Sequence, residues 1–332
     1  MRCAQNPGER PGCSHSQRRS PLGNGVILHF TGPFGLRSSR RSVTVTVDQD
    51  TDILAGFRSD DANFKLTLWD PRNNGVRYLK ALLYSVSGRL SPQDRERLRK
   101  TRNRDVGDPI TVRHDGDEID MDYLRAVQEV GFLAERVRLA GARIVEIGAG
   151  YGRTCHALMA NHDVAEYHIV EQEPSLRLAR AYLRAVLEPA QYAKVSFHAA
   201  ADAGRTFPRD VDLAINIDSF ACMPPEVVRG YLGLVDERSQ AFYVNGPVGK
   251  YLDKALDDHS QGTEQVASAL RAGLLTEVID IFDSEAVRKQ SRRFVSAYTP
   301  GDRWECAAEA STPVWSHYWQ ALYRSSSARQ AA

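Results

Sequence analysis

The run Ile144-Val145-Glu146-Ile147-Gly148-Ala149-Gly150-Tyr151-Gly152 decides the fold. Ile144 to Ile147 are apolar except for one acid, as a strand buried on both faces of a parallel sheet should be. Three glycines at alternate positions follow, and Arg153-Thr154-Cys155-His156 then opens a helical pattern. Glycines are needed where the chain must turn sharply and a ligand must approach the backbone with no Cβ in the way. A dinucleotide loop reads G-x-G-x-x-G, yet Arg153 stands where its third glycine would be and Gly152 comes one residue early. NAD offers a pyrophosphate to a helix N-terminus, whereas S-adenosylmethionine offers a sulfonium and an amino-acid end, which suits an acid at Glu146. Glu146, Gly148, Ala149, Gly150, Tyr151 and Gly152 are therefore expected to bind S-adenosylmethionine, with S-adenosylhomocysteine as the product.

Downstream, the next apolar run ends in Glu171, about 20 residues past the glycines, where doubly wound folds place a carboxylate on the ribose hydroxyls. Glu171 is the expected ribose ligand and Glu173 the fallback. Asp202, in the small-residue turn Ala200-Ala201-Asp202-Ala203, is placed to accept from an adenine amino group, although aspartate is also ordinary turn chemistry. Asn216-Ile217-Asp218-Ser219-Phe220 leaves a further strand at the carboxyl edge, where ligands of open α/β sheets collect. Asn216 is grouped with the cofactor set. Asp218 is the leading candidate for the base that a neutral hydroxyl nucleophile requires, with His259, beside Asp257 and Asp258, as runner-up. Asn245, Lys250 and Tyr251 flank the stiff Gly246-Pro247-Val248-Gly249 loop and are expected to contact the acceptor. The histidines show no metal-ligand spacing, so no metal is expected.

Around these motifs the pattern alternates strand and helix, which predicts a Rossmann-like α/β fold: a seven-stranded, mostly parallel sheet with helices on both faces. The expected strands are 143–147, 167–170, 195–198, 213–217, 241–244, 276–281 and 293–298. The expected helices are 153–160, 175–187, 225–234 and 263–272, the last ending at Gly273. Residues 315–323 read as an amphipathic helix with Trp315, Trp319, Leu322 and Tyr323 on one side. Ahead of the sheet, 122–139 carries a helical stripe of Tyr123, Leu124, Val127, Val130, Leu133 and Val137. Residues 77–102 look helical in two pieces, with Ser91 as N-cap and Pro92 in the first turn, and 42–47 and 64–69 alternate like short strands. The expected organisation is an irregular tail over 1–45, a mainly helical N-terminal cap over 46–140 and the catalytic domain over 141–332.

The bulk numbers exclude several classes. With 332 residues, 42% apolar and 26% charged, the chain can bury a sizeable core, and a formal net charge of +1 offers no field for nucleic acid or an anionic membrane. The seven arginines of the first 41 residues sit among Pro, Gly and Ser and are opposed only by Glu9, which reads as a solvated tail rather than a nucleic-acid arm. No run approaches a membrane span, no secretory signal opens the chain, and the five cysteines lack ligand or framework spacing. A cytoplasmic protein acting on a small molecule is expected, and an assembly of identical chains is left open.

Three stretches, Glu146 to Cys155, Asn216 to Phe220 with Met223-Pro224, and Asn245 to Tyr251, together resemble the sugar O-methyltransferase family of the nanchangmycin type. Asn103-Arg104-Asp105-Val106-Gly107-Asp108-Pro109 and Asp122-Tyr123-Leu124 add a weaker likeness. The resemblance implies a class I fold with its last strand antiparallel, S-adenosylmethionine as donor, and a sugar hydroxyl of a glycosylated natural product or polysaccharide precursor as acceptor. Alternatives are O-methylation of a polyketide or phenolic hydroxyl, and a non-catalytic module that binds S-adenosylmethionine.

Overall fold

The computed structural model describes residues 75–251 and 263–326. The expected tail, the strands at 42–47 and 64–69, and His259 lie outside the described residues. The chain divides by internal contacts after Tyr78, and apart from the first turn of the first helix everything below belongs to the unit that starts at Leu79.

Among the described residues, helices α1 (Gly75–Ser87) and α2 (Pro92–Lys100) come first. Ser91 caps α2, its hydroxyl accepting from the Asp94 amide, and Pro92 fills the first turn. A hairpin of β1 (Thr111–His114) and β2 (Asp117–Asp120) follows, and no expectation anticipated it. Its Asp115-Gly116 turn has φ of 52° and 85°, the paired left-handed residues that match hairpin twist. Helix α3 (Met121–Ala134) starts where Asp120 accepts from the Tyr123 amide.

From there the chain alternates: β3 (Arg143–Ile147), α4 (Arg153–Asn161), β4 (Glu166–Glu171), α5 (Glu173–Val186), α6 (Pro189–Tyr192), β5 (Val195–Ala199), α7 (Ala203–Thr206), β6 (Val211–Ile217), α8 (Pro225–Arg238) and β7 (Ser239–Pro247). The last part holds α9 (Thr263–Arg271), α10 (Ser284–Ala297), β8 (Trp304–Ser311) and β9 (Tyr318–Ser325). The large sheet has seven strands in the order β5-β4-β3-β6-β7-β9-β8. Strands β5 to β7 are parallel, and β9 runs antiparallel to both β7 and β8. The chain winds outward from β3 to β5 and then returns to set β6 on the other side of β3. That reversal opens a crevice above the carboxyl ends of β3 and β6.

The Rossmann-like α/β fold expected from the sequence is the fold observed. Alternation along β3 explains the two layers. Ile144 packs with Tyr167, Leu213 and Tyr243 and with the α3, α4 and α5 residues Leu124, Leu158 and Leu183. Val145 and Ile147 pack on the opposite face with Phe242 and with Val228, Leu232, Val287 and Phe294 of α8 and α10. No helix among the described residues is long and apolar enough to cross a membrane.

Three sequence expectations fail at the C-terminal end. Residues 276–281 form no named strand, only an isolated bridge between Lys250 and Val278. Residues 293–298 lie almost wholly within α10, where Asp283 caps the helix and Val287, Gln290, Ser291 and Phe294 form the buried stripe. The expected helix at 315–323 is largely β9, which with β8 supplies the missing strands. Buried on both faces, β9 shows no polar alternation, and a short apolar run of that kind carries either reading.

Candidate functional site

The glycine loop closes β3 in left-handed backbone: Gly148, Gly150 and Gly152 have φ of 73°, 56° and 96°. A Cβ on Gly148 would lie 2.0 Å from Ser219 Oγ, and one on Gly152 would lie 2.9 Å from the Leu183 side chain. A Cβ on Gly150 meets nothing within 4 Å, so the open side of the loop is its middle. The Gly150 amide donates to Glu171 Oε2 at 3.0 Å, and the Gln172 amide donates to Oε1 at 2.7 Å. The fold thus brings together the loop and the expected ribose carboxylate, 21 residues apart.

Glu146 is buried at the end of β3. It is 2% exposed and accepts from the Tyr167 hydroxyl at 2.7 Å, which holds its carboxylate in the core next to the loop it precedes. Burial pushes its carboxyl up to about 7, against hydrogen bonds from Tyr167 and Thr154 and the charge of Arg153. Tyr151 turns away to donate to Asp122 Oδ2 at 2.9 Å, with its ring edge-on to Tyr182. Asp202 is exposed at the end of β5 and pairs with Arg205 at 2.9 Å, while the fallback Glu173 pairs with Arg180 on the surface of α5.

At the end of β6, Asn216 Nδ2 donates to the Ile147 carbonyl at 2.9 Å and to Ser219 Oγ at 2.6 Å, tying this strand to the glycine loop. Asn216 is 1% exposed, so it acts as a stitch between two strand ends. Asp218 follows with φ 65° and ψ −39°, a sparsely populated conformation for a residue with a side chain. Its amide donates to the Asn245 carbonyl at 2.8 Å, and its own carbonyl accepts from Ala221 at 3.0 Å. Asp218 Oδ2 faces Arg125 Nη2 at 3.4 Å, whereas Oδ1 is buried and meets no donor at hydrogen-bonding geometry.

A polar cluster that the sequence reading passed over supports this carboxylate. Glu129 on α3, 2% exposed, sits 3.6 Å from Arg125, accepts from Arg153 at 2.8 Å and accepts from Asn245 Nδ2 at 3.0 Å. Burial works against the charge of Arg153, but Glu129 and Asp122 more than offset it and hold the guanidinium above its usual range. Asn245 was expected to touch an acceptor. It is fully buried, with its amide oxygen taken by Thr312 Oγ1 at 2.9 Å, so it links α3 to the segment before β9 instead. Lys250 is likewise committed, donating from Nζ to the Ala221 carbonyl at 2.8 Å and so holding the turn that follows Asp218. Tyr251 remains 45% exposed and packs edge-on against His317.

His317 and Tyr318, at the start of β9, stand beside Asp218. Burial lowers His317 and raises Tyr318, and in both cases the Asp218 charge adds an upward push. Neither stands out in the sequence, because 315–323 reads there as an amphipathic helix. Arg125 and Glu129 carried a usable signal, an i,i+4 opposite-charge pair flanking an apolar stripe, but such pairs usually mark a solvated face. Among the described residues no group of three side chains is arranged to hold a metal.

No family model and no curated relative matches the chain. Among solved structures it is similar to the pyocyanin biosynthetic protein PhzM at 14% identity and TM-score 0.38, over 61% of this chain and 57% of that one. It is similar to the methyltransferase domain of bacterial CtHen1 at 15% identity and TM-score 0.43, over 60% of this chain and 97% of that one. It is also similar to M. capricolum TrmK in complex with S-adenosylhomocysteine, at 8% identity and TM-score 0.37, over 60% of this chain and 68% of that one. The chain thus spans little more than half the length of PhzM. At such identities the likeness decides nothing about chemistry, which rests on the residues of the site.

Proposed function

We propose that the chain is an S-adenosylmethionine-dependent O-methyltransferase acting on a sugar hydroxyl, on a glycosylated natural product or a polysaccharide precursor. The carrying observation is the loop: three left-handed glycines, the middle one facing open space and hydrogen-bonded to Glu171. A backbone that leaves room for a ligand beside a half-exposed carboxylate fits a nucleoside whose ribose hydroxyls need an acceptor. Gly148, Ala149, Gly150 and Gly152 form the cradle, Glu171 takes the ribose, and Asp202 is available to the adenine amino group. Glu146 and Asn216 fix the loop from within. Bound in that cradle, S-adenosylmethionine supplies an activated methyl group, its sulfur keeping the electron pair of the broken bond.

Asp218 performs the proton chemistry. A neutral hydroxyl is a poor nucleophile until its proton is removed, and a carboxylate at the carboxyl edge of β6 is placed to take it. The strained backbone at Asp218 supports this role, since such conformations persist where surrounding structure over-determines them and cluster at active sites. Arg125 orients the carboxylate through Oδ2, and the side chain keeps 40% of its surface exposed for an acceptor to reach. The sugar acceptor follows from the resemblance carried by residues 216–224 and 245–251.

Isothermal titration with S-adenosylmethionine, S-adenosylhomocysteine and NADH tests the donor: the two methionine derivatives bind and NADH does not. Binding of NADH alone, or of none of the three, sinks the reading. Asp218→Asn is expected to slow turnover by about 100-fold or more while leaving S-adenosylhomocysteine affinity unchanged. A variant turning over at the wild-type rate removes Asp218 from the role of base.

A further inference from the structure

The turn joining β8 to β9 is built at a cost that its hairpin role does not explain. Thr312-Pro313-Val314-Trp315 places Val314 at φ 84°, a position that turns of this shape give to glycine. A β-branched residue there is a genuine outlier, and strain of that order is kept where a turn must present its side chains in one direction. The turn is also clamped. Thr312 donates its amide to the Tyr318 carbonyl at 3.0 Å, Tyr318 donates to the Trp315 carbonyl at 3.2 Å, and Val248 donates to the His317 carbonyl at 2.9 Å.

What it presents is an aromatic shelf beside Asp218. Trp315 is 37% exposed with its ring centroid 6.2 Å from that of Tyr318, and the His317 ring lies 4.9 Å from Tyr318 and 5.3 Å from the exposed Tyr251. His317 is only 6% exposed, yet its Nδ1 is buried with no hydrogen-bond partner. Asp218 Oδ1 is a second buried, unpartnered polar atom in the same neighbourhood. Buried polar atoms of that kind carry a penalty unless a ligand or water completes them. The charges around them cancel pairwise, Arg125 and Arg153 against Asp218 and Glu129, so no unpaired cation among these residues waits for an anionic group.

We propose that the 312–318 turn is the acceptor-recognition element of the methyltransferase. Trp315 and Tyr251 take the ring of a neutral, polyhydroxylated acceptor by stacking, and His317 Nδ1 hydrogen-bonds a hydroxyl neighbouring the one that reaches Asp218. The ligand class is an uncharged glycoside, selected against phosphorylated sugars because the two guanidiniums beside Asp218, Arg125 and Arg153, are already paired with carboxylates, and against bare phenols for want of a second hydroxyl at His317. This rests on the methyl-transfer reading, and the test separates the two.

Wild-type protein labelled with 13C at histidine Cε1 and saturated with S-adenosylhomocysteine is titrated with the methyl glycosides of glucose, rhamnose and fucose. Glucose 6-phosphate and phenol form the comparison arms. The His317 resonance, identified by its absence in His317→Asn, is expected to shift with at least one methyl glycoside and with neither comparison compound. With the responding glycoside as methyl acceptor, Trp315→Ala and His317→Ala each raise KM about tenfold, the loss of one stacking or hydrogen-bonding contact, with kcat changed less. His317→Asn, which keeps a polar atom near Nδ1, restores most of the KM, and all three variants keep wild-type affinity for S-adenosylhomocysteine. A His317 resonance unmoved by every glycoside, a shift with glucose 6-phosphate or phenol instead, or variants with wild-type KM overturn the proposal. Failure of the wild type to bind S-adenosylhomocysteine strikes the methyl-transfer reading itself.

Discussion

Gly148, Gly150 and Gly152 share one backbone region, yet an alanine meets a different obstacle at each. At Gly148 the new carbon would fall 2.0 and 2.3 Å from Ser219 Oγ and Cβ, in the turn that carries Asp218, so Gly148→Ala should displace that turn and melt early. At Gly152 the neighbour is the Leu183 side chain at 2.9 Å, which yields only in part. At Gly150 there is space, and the cost is the left-handed conformation alone, about 1–2 kcal/mol. Gly150→Ala is therefore expected to fold, to melt a few degrees below wild type, and to lose most of its affinity for S-adenosylhomocysteine because the methyl group occupies the ligand's side of the loop. Thermal melts paired with titration calorimetry check this, and wild-type affinity in Gly150→Ala would show that the ligand does not lie there. The loop, Glu171 and Asp218 were legible in the sequence because each depends on a short local pattern. Arg125, Glu129 and His317 were not, since their meaning depends on which strands and helices meet.

At the scale of elements, Glu129 is the point where α3, α4 and β7 are joined, through Arg125, Arg153 and Asn245. Asn245 carries the link onward to Thr312, beside the turn into β9. Removing the negative charge leaves two guanidiniums close together with little solvent to screen them, and breaking a buried pair typically costs about 3–5 kcal/mol. Glu129→Gln should lower the urea midpoint by an amount in that range with an unchanged slope. Glu173→Gln, which breaks the solvent-exposed pair with Arg180, should cost under about 1 kcal/mol. Equal effects would mean that the buried cluster is no tie between elements. The parallel strands β3 to β7 were readable from apolar runs bounded by glycine and acid, α3 from its stripe, and α4, α5, α8 and α9 from the alternation of strand and helix, with Gly273 marking the end of α9. The end of the chain misled for physical reasons. Val295 and Phe294 look strand-like until the i, i+3, i+4, i+7 burial of α10 is seen, and β9 is paired on both sides, so its side chains show neither period cleanly.

At the scale of the whole molecule, two buried groups on the same face of the sheet titrate in opposite senses. Glu146 has its carboxyl raised to about 7, chiefly by burial, from a starting value of 4.5. His156, packed against Tyr123 and Tyr182, is lowered to about 4 from 6.5 by burial and then by the Arg104 charge. Between 4.5 and 7 the folded protein holds the Glu146 proton more tightly than the unfolded chain does, so the stability from this group is complete at low pH and drains away as pH rises through about 7. Between 6.5 and 4 the unfolded chain binds the His156 proton more tightly, so stability drains away as pH falls. Over the shared window the two slopes oppose each other, and the wild type is flatter than either group alone would make it. Glu146→Gln keeps an acceptor for Tyr167 and cannot ionise, so its stability relative to wild type should climb from pH 4.5 to 7, by about 3 kcal/mol at most. His156→Gln should gain on wild type in the opposite direction, as pH falls from 6.5 toward 4. Urea unfolding of the three proteins across that range reads both differences directly, and variant curves that run parallel to wild type would show that neither group is coupled to folding.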